Sequence, residues 1–397
     1  MPPRDAAGPA GPLRVAVVES LAEVPRERWN ALVGPDDFYQ SHEWLTAVER
    51  DRTARCHYLL ARIGDRLAGA LPVYQVAFEG SPPYRPARLR ALLGVPGDHL
   101  VAGARRCYRG TVLLAPWLPD PAADRVTAAL LRAALDLAAA RGRAGVVLPF
   151  LPTSAVARIG RVLPVTVAFD TPEAVLPGIG GGLPDYLRAL PGKRRYTARR
   201  EIARYDAAGW HTRTERLADC LPEAARLVSL VERRHGRNTP DILLLRLFRR
   251  QAEATDHRAV VLSCRDDRGA MVACSINYAW RGTLYNRAVG LDPDRLRDAF
   301  EYFNLLVYRA VDHAGDHGLN RLHLSVEPSH AKLQRGAVLA PLWTAVVGGP
   351  TAGRRPGVRV VGPDPMESWA EPRRSFPHAF PAARWAPPGP GRPSVAG

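Results

Sequence analysis

The feature that most constrains the fold is a basic segment in the middle of the chain, bounded by residues that start and stop helices. From Arg188 to Arg204 the segment holds seven basic residues and one acid, Glu201. A Pro191-Gly192 break precedes the main run. Gly209 follows it, at the position where glycine commonly ends a helix in left-handed backbone. The pattern predicts a helix of about four turns that ends at Gly209.

Cations crowd the first turns of this predicted helix, where the helix dipole prefers anions. Lys193, Arg194 and Arg195 therefore reduce helix stability slightly, and in exchange they create an anion site beside free backbone N–H groups. The alternative is an ordinary solvated basic face, and the sequence leaves both interpretations open.

Composition points in the same direction. The chain has 397 residues, enough for two domains, and a net charge of +16. Such a charge favours a polyanionic partner: nucleic acid, a phosphorylated metabolite or an anionic membrane surface. Lys193 and Lys332 are the only lysines among the 55 basic residues. Each marks a position that needs a compact ammonium, or was retained by chance.

The cysteines and the hydropathy pattern exclude several classes of protein. The five cysteines are odd in number and lack a CxxC spacing, so neither a zinc site nor a disulfide framework is expected. Reduced thiols favour the cytoplasm. Residues 1–12 have no apolar core of a signal peptide and are expected to be a disordered leader. No apolar run is long enough to span a membrane.

The second half of the chain carries the clearest β pattern. Segments 259–263, 271–280 and 283–289 predict a three-stranded antiparallel meander, followed by a helix over 299–314 and a strand over 321–326. The first half repeats the rough order of strand, helices, antiparallel strands, helix and strand. This order predicts a duplicated α/β (α+β) unit.

The domain boundaries follow from composition. The glycine cluster over 176–182 is interpreted as a linker rather than a phosphate loop, because a lone cluster is weak evidence. We therefore expect an N-terminal domain over 13–175 and a C-terminal domain over 183–365. Residues 366–397 are rich in Pro and Arg and are expected to form a tail.

Several segments resemble the Fem-like branch of the GNAT acyltransferases, whose members include enzymes that transfer amino acids from aminoacyl-tRNA to peptidoglycan precursors. The basic helix from Tyr186 to Arg200 resembles the start of that family's second domain, and 269–290 resembles its meander. A third matching segment comprises 302–314 and Gly318, followed by Ser329 to Gly336. The last of these pieces, with Lys332 and Gly336, resembles the family's closing "lysine, then glycine" element. Phe38 to Trp44 resembles its N-terminal helix start. The similarity extends over roughly 25–345.

The resemblance implies two tandem GNAT-like domains with mixed, mostly antiparallel sheets flanked by helices. It places Lys332 near the transferring acyl group, where it would steady developing charge. Glu327 is the candidate for removing the ammonium proton of the acceptor or for pairing with Lys332. The chain lacks the Arg/Gln-x-x-Gly-x-Gly/Ala pyrophosphate loop that a CoA-using relative shows after its fourth strand. It also lacks the coiled-coil arm of some tRNA-using relatives.

Further candidates line the same regions. Lys193, Arg195, Arg199 and Arg200 are predicted to bind phosphates of the donor or acceptor. Asn277, Tyr285 and Asn304 are predicted to contact substrate, while His323 is more typical of a satisfied structural histidine. We expect neither a metal nor a cofactor.

These observations predict a cytoplasmic N-acyltransferase that joins an aminoacyl group from aminoacyl-tRNA to an amine on a small molecule or cell-wall precursor. A role in making a specialised, antibiotic-like metabolite fits a core without the arm. The alternatives are an acyl-CoA-dependent GNAT acetyltransferase and a noncatalytic nucleic-acid-binding protein. No zinc finger, RRM or helix-turn-helix signature supports the latter.

Overall fold

The computed structural model describes residues 11–103, 105–326, 330–386 and 388. These residues divide into two compact units, each discontinuous in sequence. The first unit comprises the described residues up to Thr171, Ala340–Glu371 and those from Ala382 onward. The second comprises Pro172–Leu339 and Pro372–Pro381.

Fourteen strands occur in the described residues. In chain order they are β1 Leu13–Val18, β2 Ala54–Ile63, β3 Arg66–Val76, β4 His99–Ala102, β5 Leu113–Leu114, β6 Gly145–Pro152, β7 Pro164–Pro177, β8 His211–Glu215, β9 Ala259–Arg265, β10 Met271–Trp280, β11 Thr283–Leu291, β12 Arg321–Val326, β13 Val338–Gly348 and β14 Gly357–Val361.

Helices connect and flank these strands. They are α1 Arg26–Asn30, α2 His42–Glu49, α3 Pro86–Leu93, α4 Asp120–Ala140, α5 Thr153–Val162, α6 Gly182–Ala189, α7 Gly192–Ala207, α8 Leu221–Arg234, α9 Asp241–Thr255, α10 Glu301–Phe303, α11 Arg309–Asp316, α12 His330–Gln334, α13 Pro365–Ser368, α14 Ala370–Ser375 and α15 Ala382–Trp385. A π-helical turn, Asn304–Tyr308, joins α10 to α11.

The two units share one strand pattern. The first has the order β1-β2-β3-β4-β6-β13, and the second has β8-β9-β10-β11-β12-β7. In each, four antiparallel strands are followed by a strand parallel to the fourth and then by an antiparallel strand. The parallel pairs are β4 with β6 and β11 with β12. The predicted α/β class and duplicated unit are confirmed.

The last strand of each order comes from the other half of the sequence. The end of β7 pairs with β12 in the second unit, and β13 returns to pair with β6 in the first. Sequence patterns did not predict this exchange, because it depends on pairing between segments more than 140 residues apart. It makes the compact units discontinuous. The boundaries inferred from composition, at 175, 183 and 365, stay a prediction.

The parallel pairs are short, and this positions the site described below. In the second unit, Thr283 to Tyr285 pair with Arg321 to His323. Beyond that point β12 has a register irregularity, and Ser325 has a positive φ of 69°. The first unit shows the same device, because β4 and β6 pair over three residues and Phe150 has a φ of 57°. Bulges of this kind commonly re-aim side chains next to functional sites.

Local predictions in the second half agree closely with the structure. The basic helix is α7, and Gly209 follows it with a φ of 69°, as the left-handed end of a helix requires. The meander is β9, β10 and β11. The glycine-rich segment 176–182 includes the end of β7 and the first residue of α6. There, a Cβ on Gly315 would lie 2.4 Å from the Cα of Gly182, so the two chains cross in close contact.

The ends of the chain differ in how much can be described. Most of the predicted leader lies outside the described residues. The predicted tail contains α13, α14 and α15, and its aromatic side chains Phe376, Phe380 and Trp385 are each no more than 5% exposed. This segment therefore packs on the protein through at least residue 385. No helix of the described residues is long and apolar enough to cross a membrane.

The packing of α8 on β11 gives a first prediction. A Cβ on Gly290 would lie 2.6 Å from the Cβ of Leu227 and 2.9 Å from the backbone nitrogen of Val228. Gly290→Ala should therefore lower the free energy of unfolding by ~1–3 kcal/mol, because helix and strand must move apart. Urea unfolding monitored by circular dichroism measures this change.

The matched control is Gly192→Ala at the start of α7, where no atom lies within 4 Å of the added Cβ. It should leave the unfolding midpoint nearly unchanged. Equal midpoints for the two variants would contradict the close packing of α8 on β11.

Candidate active site

Helix α7 turns one of its two acids, Glu201, inward and most of its cations outward. Glu201 is 4% exposed, and Ala198 and Tyr205 share its buried face. Lys193, Arg199 and Arg200 are exposed on the other faces. The helix thus buries a carboxylate that needs a partner, and it presents its positive charge to solvent.

Arg335 is that partner, and it follows directly after helix α12. Its Nη2 lies 2.5 Å from Oε2 of Glu201, and the two side chains are each 6% exposed. The Tyr308 hydroxyl donates to the same oxygen at 2.5 Å and accepts from Nε of Arg335 at 3.1 Å. Burial raises the pKa of Tyr308, so the phenol stays protonated and donates. We call Glu201, Tyr308 and Arg335 the Glu201 cluster.

The remaining faces of Arg335 are also occupied. Its Nη1 donates to the Ala331 carbonyl at 2.9 Å, and its guanidinium stacks 3.3 Å from the Phe303 ring centroid. The Tyr186 hydroxyl donates to the Arg335 carbonyl at 2.9 Å. Two buried charges are tolerated only when they are paired and fully hydrogen-bonded, and this arrangement meets that condition. The Glu201 cluster therefore fixes α7 against the segment that carries Lys332.

A second group of residues surrounds the point where β11 and β12 stop pairing. We call it the strand-separation site and define it as Tyr285, Arg287, His323, Ser325 and Lys332. Asn277 faces Asn286 and Ile276 faces Ala288, so Arg287 is an extra residue in β11. Ser325 lies at the matching irregularity of β12. Both strands therefore leave regular pairing at one place.

His323 is held firmly inside this site. The Ser325 N–H donates to its Nδ1 at 3.1 Å, so Nε2 carries the proton and donates to Glu173 at 3.1 Å. The imidazole stacks on Tyr285 with ring centroids 5.2 Å apart. Both ring nitrogens are engaged, and the structural interpretation of this histidine fits that geometry.

Lys332 is 6% exposed and donates to the two carbonyls on either side of Ser325. Its Nζ lies 2.7 Å from the Leu324 oxygen and 3.1 Å from the Val326 oxygen. The ammonium thus fixes the irregular end of β12 and places a positive charge beside it. Glu327, the predicted proton acceptor, lies outside the described residues.

The predicted phosphate-binding residues share α7, but their surroundings differ. Lys193, Arg199 and Arg200 are exposed. Arg195 is half-buried and donates to the Leu190 carbonyl at 3.0 Å, which caps the end of α6. The exposed three are the ones placed to meet a ligand in solution.

The predicted substrate-contacting residues are buried. Asn277 is fully buried, and its amide is bonded to Ser275 and Asn286 within the sheet. Tyr285 is 1% exposed beneath His323. Asn304 is buried in the π-helical turn and donates to the carbonyls of Glu201 and Phe300, while its Oδ1 has no partner among the described residues. Contact of these three residues with substrate stays a prediction.

In the loop after β11, backbone N–H groups donate hydrogen bonds to a carboxylate of the protein itself, that of Glu301. The N–H groups of Arg297 and Ala299 donate to the two oxygens of Glu301, at 2.8 and 3.0 Å. The Trp210 indole donates to the same carboxylate at 3.1 Å. Glu301 is 3% exposed, so these donors are satisfied from inside the protein.

Thiolate and metal chemistry find little support in the described residues. Burial raises the pKa of Cys56 to about 11 and those of Cys220, Cys264 and Cys274 to about 12, which keeps these thiols protonated. No group of three or more His, Cys, Asp or Glu among the described residues could hold a metal ion.

Residues 192–333 match the family described as acetyltransferase (GNAT) domain. This range includes α7, the meander, the π-helical turn and Lys332. The matched range lies within the second unit. The strand-separation site therefore lies in the matched range, as do Glu201 and Tyr308, and Arg335 follows the end of that range by two residues.

Solved structures show the same fold over most of the chain. FemX aligns with a TM-score of 0.57 at 12% identity, covering 82% of this chain and 97% of FemX. A conserved protein of unknown function from Bacteroides thetaiotaomicron aligns with a TM-score of 0.55 at 13% identity, covering 84% of this chain and 100% of the other.

A third structure is the C-terminal domain of an Agrobacterium fabrum protein described as a lysylphosphatidylglycerol synthetase. It aligns with a TM-score of 0.52 at 12% identity, covering 85% of this chain and 100% of that domain. No curated protein matches the chain in sequence. The predicted Fem-like GNAT fold with two tandem GNAT-like units is confirmed, and these low identities establish the fold alone.

The Glu201 cluster was not predicted from sequence, although Glu201 stood out as the only acid of a basic run. Arg335 gave no such signal, because its partner lies 134 residues away. Likewise, His323 and Glu173 lie 150 positions apart, so no local pattern indicates that they pair.

The buried pair makes a quantitative prediction. Glu201→Gln should lower the free energy of unfolding by about 3 kcal/mol, because it leaves the buried Arg335 without a counter-charge. Arg335→Met should act similarly, and the double variant should lose clearly less than the sum of the two. Urea unfolding of the four proteins gives this coupling energy.

The control is the exposed pair of Arg188 and Asp185, which lie 2.5 Å apart with side chains 72% and 49% exposed. Asp185→Asn should cost ~1 kcal/mol or less. If Glu201→Gln is as mild as Asp185→Asn, the cluster does not hold α7 in place.

Proposed function

We propose that this chain is an N-acyltransferase that transfers an aminoacyl group from aminoacyl-tRNA to an amine acceptor. The GNAT domain supports acyl transfer to an amine. The observation that carries the choice of donor is the pair of backbone N–H groups of Arg297 and Ala299, which are bound by Glu301.

This loop follows β11, the fourth strand of the second unit. In the GNAT resemblance, that is where a CoA-using enzyme presents backbone donors to pyrophosphate. Anions bind at such positions because N–H groups and the helix dipole point at them. Here a buried carboxylate takes that place, and it would repel a pyrophosphate. This favours a donor other than acyl-CoA.

The exposed side of α7 offers a different anion surface. Lys193, Arg199 and Arg200 are exposed on one helix, and the Glu201 cluster fixes that helix beside the Lys332 segment. Cations on a rigid element suit the phosphate backbone of RNA, which supplies affinity with little sequence reading. We propose that this face holds the tRNA donor.

The reaction requires little covalent chemistry from the protein. The acceptor amine attacks the aminoacyl ester carbonyl, a C–N bond forms, and the ester C–O bond breaks. The amine loses a proton, and the tRNA ribose hydroxyl leaves with one. Holding amine and ester together supplies much of the rate. We propose that the charge of Lys332 stabilises the developing oxyanion, and that Glu327 remains the candidate for accepting the proton.

The proposal extends to surroundings and acceptor. Free, buried cysteines are typical of a reducing compartment, and we propose the cytoplasm. We propose an amine on a small specialised metabolite or a cell-wall precursor as acceptor, and Asn277, Tyr285 and Asn304 as residues that shape the site through the sheet and the π-helical turn.

Binding to charged bulk tRNA over a salt series, beside acetyl-CoA, tests the donor. Wild type should bind tRNA with an affinity that falls steeply as salt rises. The double variant Lys193→Ala, Arg200→Ala should bind more weakly, with a slope of log K against log salt that is shallower by about two. Filter binding or fluorescence anisotropy measures both quantities.

The matched control is Arg14→Ala with Arg359→Ala, which removes two exposed arginines from strands of the first unit. It should leave tRNA affinity within about twofold, because only the salt-screened net charge changes. Tight acetyl-CoA binding, with tRNA binding equally weak in all three proteins, would replace the tRNA donor with acyl-CoA.

Lys332 has its own test. In a transfer assay with charged tRNA and an amine acceptor, Lys332→Gln should lower kcat about a hundredfold with little change in KM, because the charge acts mainly in the transition state. Thermal unfolding distinguishes this from loss of structure, since the ammonium also fixes the end of β12. Gln334→Ala, on the exposed side of α12, is the control. A Lys332→Gln enzyme with normal kcat per folded molecule would exclude the role.

A further inference from the structure

Helices α8 and α9 form a hairpin whose exposed end combines aliphatic and cationic side chains. We call this end the α8–α9 tip and define it as Arg233, Arg234, Ile242, Leu243 and Arg246. All five are exposed, and Ile242 and Leu243 are 51% and 50% exposed. The tip lies in the second unit, outside both the Glu201 cluster and the strand-separation site.

Ile242 and Leu243 do not contribute to the buried core. Helix α9 begins with the apolar run Ile242 to Leu245, of which only Leu244 is buried, and Phe248 continues the buried side. Leu244 and Phe248, four residues apart, account for the packing of an amphipathic helix. Ile242 and Leu243 are adjacent large aliphatic side chains left in water. Scattered single aliphatics are normal on a surface, but a pair on an exposed end within a basic segment calls for a partner.

The charge around this pair is strongly one-signed. Between residues 233 and 250 the sequence holds six arginines against one acid, Asp241. Within the described part of the chain, Arg233, Arg234 and Arg246 have neither an ion pair nor a hydrogen bond from their side chains. Arg237 behaves differently, since it pairs with Glu232 at 2.6 Å. Three arginines without an ion pair in the described residues thus lie on the same helical hairpin as the aliphatic pair.

The tip is held in shape before any partner arrives. The Ser229 hydroxyl donates to the Thr239 carbonyl at 2.8 Å, and the Arg237–Glu232 pair spans the turn. Gly236 takes a φ of 73°, which lets the chain reverse after α8. A partner therefore meets a formed surface, with little loss of conformational entropy on binding.

We propose that the α8–α9 tip is a peripheral attachment site for an anionic membrane surface. Ile242 and Leu243 would enter the boundary between headgroups and acyl chains, while the three arginines bind lipid phosphates. Charge complementarity selects this partner, and the aliphatic pair separates it from RNA. Nucleic acids offer phosphates and stacked bases, which bind cations and aromatic rings but leave aliphatic side chains without a matching surface.

Vesicle flotation with the full chain tests the proposal. The protein should float with vesicles of phosphatidylcholine and phosphatidylglycerol and stay behind with phosphatidylcholine alone. Ile242→Ser with Leu243→Ser should reduce the anionic vesicle affinity about tenfold, through lost apolar insertion. Arg234→Gln with Arg246→Gln should reduce it similarly and weaken its dependence on salt.

Val17→Ser is the matched control, because Val17 is 48% exposed on β1 in the first unit. It should bind anionic vesicles like wild type. Equal vesicle binding by Val17→Ser and the Ile242/Leu243 variant would overturn the proposal. The proposal would also be overturned if wild type does not bind vesicles while a tip variant loses RNA binding or self-association. The vesicles carry neither tRNA nor acceptor, so this outcome is independent of the proposed reaction.

Discussion

The buried ion pair of Glu201 and Arg335 is the interaction on which the second unit depends. It joins α7 to the segment after α12 across 134 residues of sequence. Two charges inside a protein lose their hydration, and only complete pairing offsets that loss. The Tyr308 hydroxyl, the Ala331 carbonyl and the Phe303 ring complete it. Because Glu201 is paired inside the protein, the exposed cations Lys193, Arg199 and Arg200 of α7 remain available to solvent and ligands.

The strand pattern of the two units explains where chemistry can reside. Each unit has a short parallel pair that separates at a positive-φ residue, Phe150 in the first and Ser325 in the second. In the first unit the ring of Phe150 packs against Tyr84, with centroids 5.6 Å apart. In the second, the ammonium of Lys332 holds the carbonyls beside Ser325. The positive-φ residue where the parallel pair separates thus has apolar aromatic surroundings in the first unit and a neighbouring ammonium in the second. The ammonium supports the proposed transfer.

Charge is distributed over the second unit in a way that composition alone does not convey. A carboxylate accepts from the backbone donors after β11, and exposed cations lie on the outer side of α7. The α8–α9 tip combines exposed aliphatic residues with arginines that form no ion pair in the described part of the chain. These are three electrostatic environments in one unit of a strongly basic chain. The first opposes a pyrophosphate, the second suits a polyphosphate backbone, and the third suits a surface that is both anionic and apolar.

The sequence by itself determined the local elements. The Pro191-Gly192 break and Gly209 bound α7, and alternating apolar residues with two tight turns defined β9, β10 and β11, because these signals act within a few residues. The order of elements indicated duplication, and the resemblance of several segments to a known family implied the Fem-like GNAT fold. The tertiary structure alone decided that the end of β7 pairs with β12 and that β13 pairs with β6. It also decided that Glu201 pairs with Arg335 and that His323 donates to Glu173. These pairings join residues more than 130 positions apart, and which distant groups meet depends on packing of the whole chain, which no local pattern records.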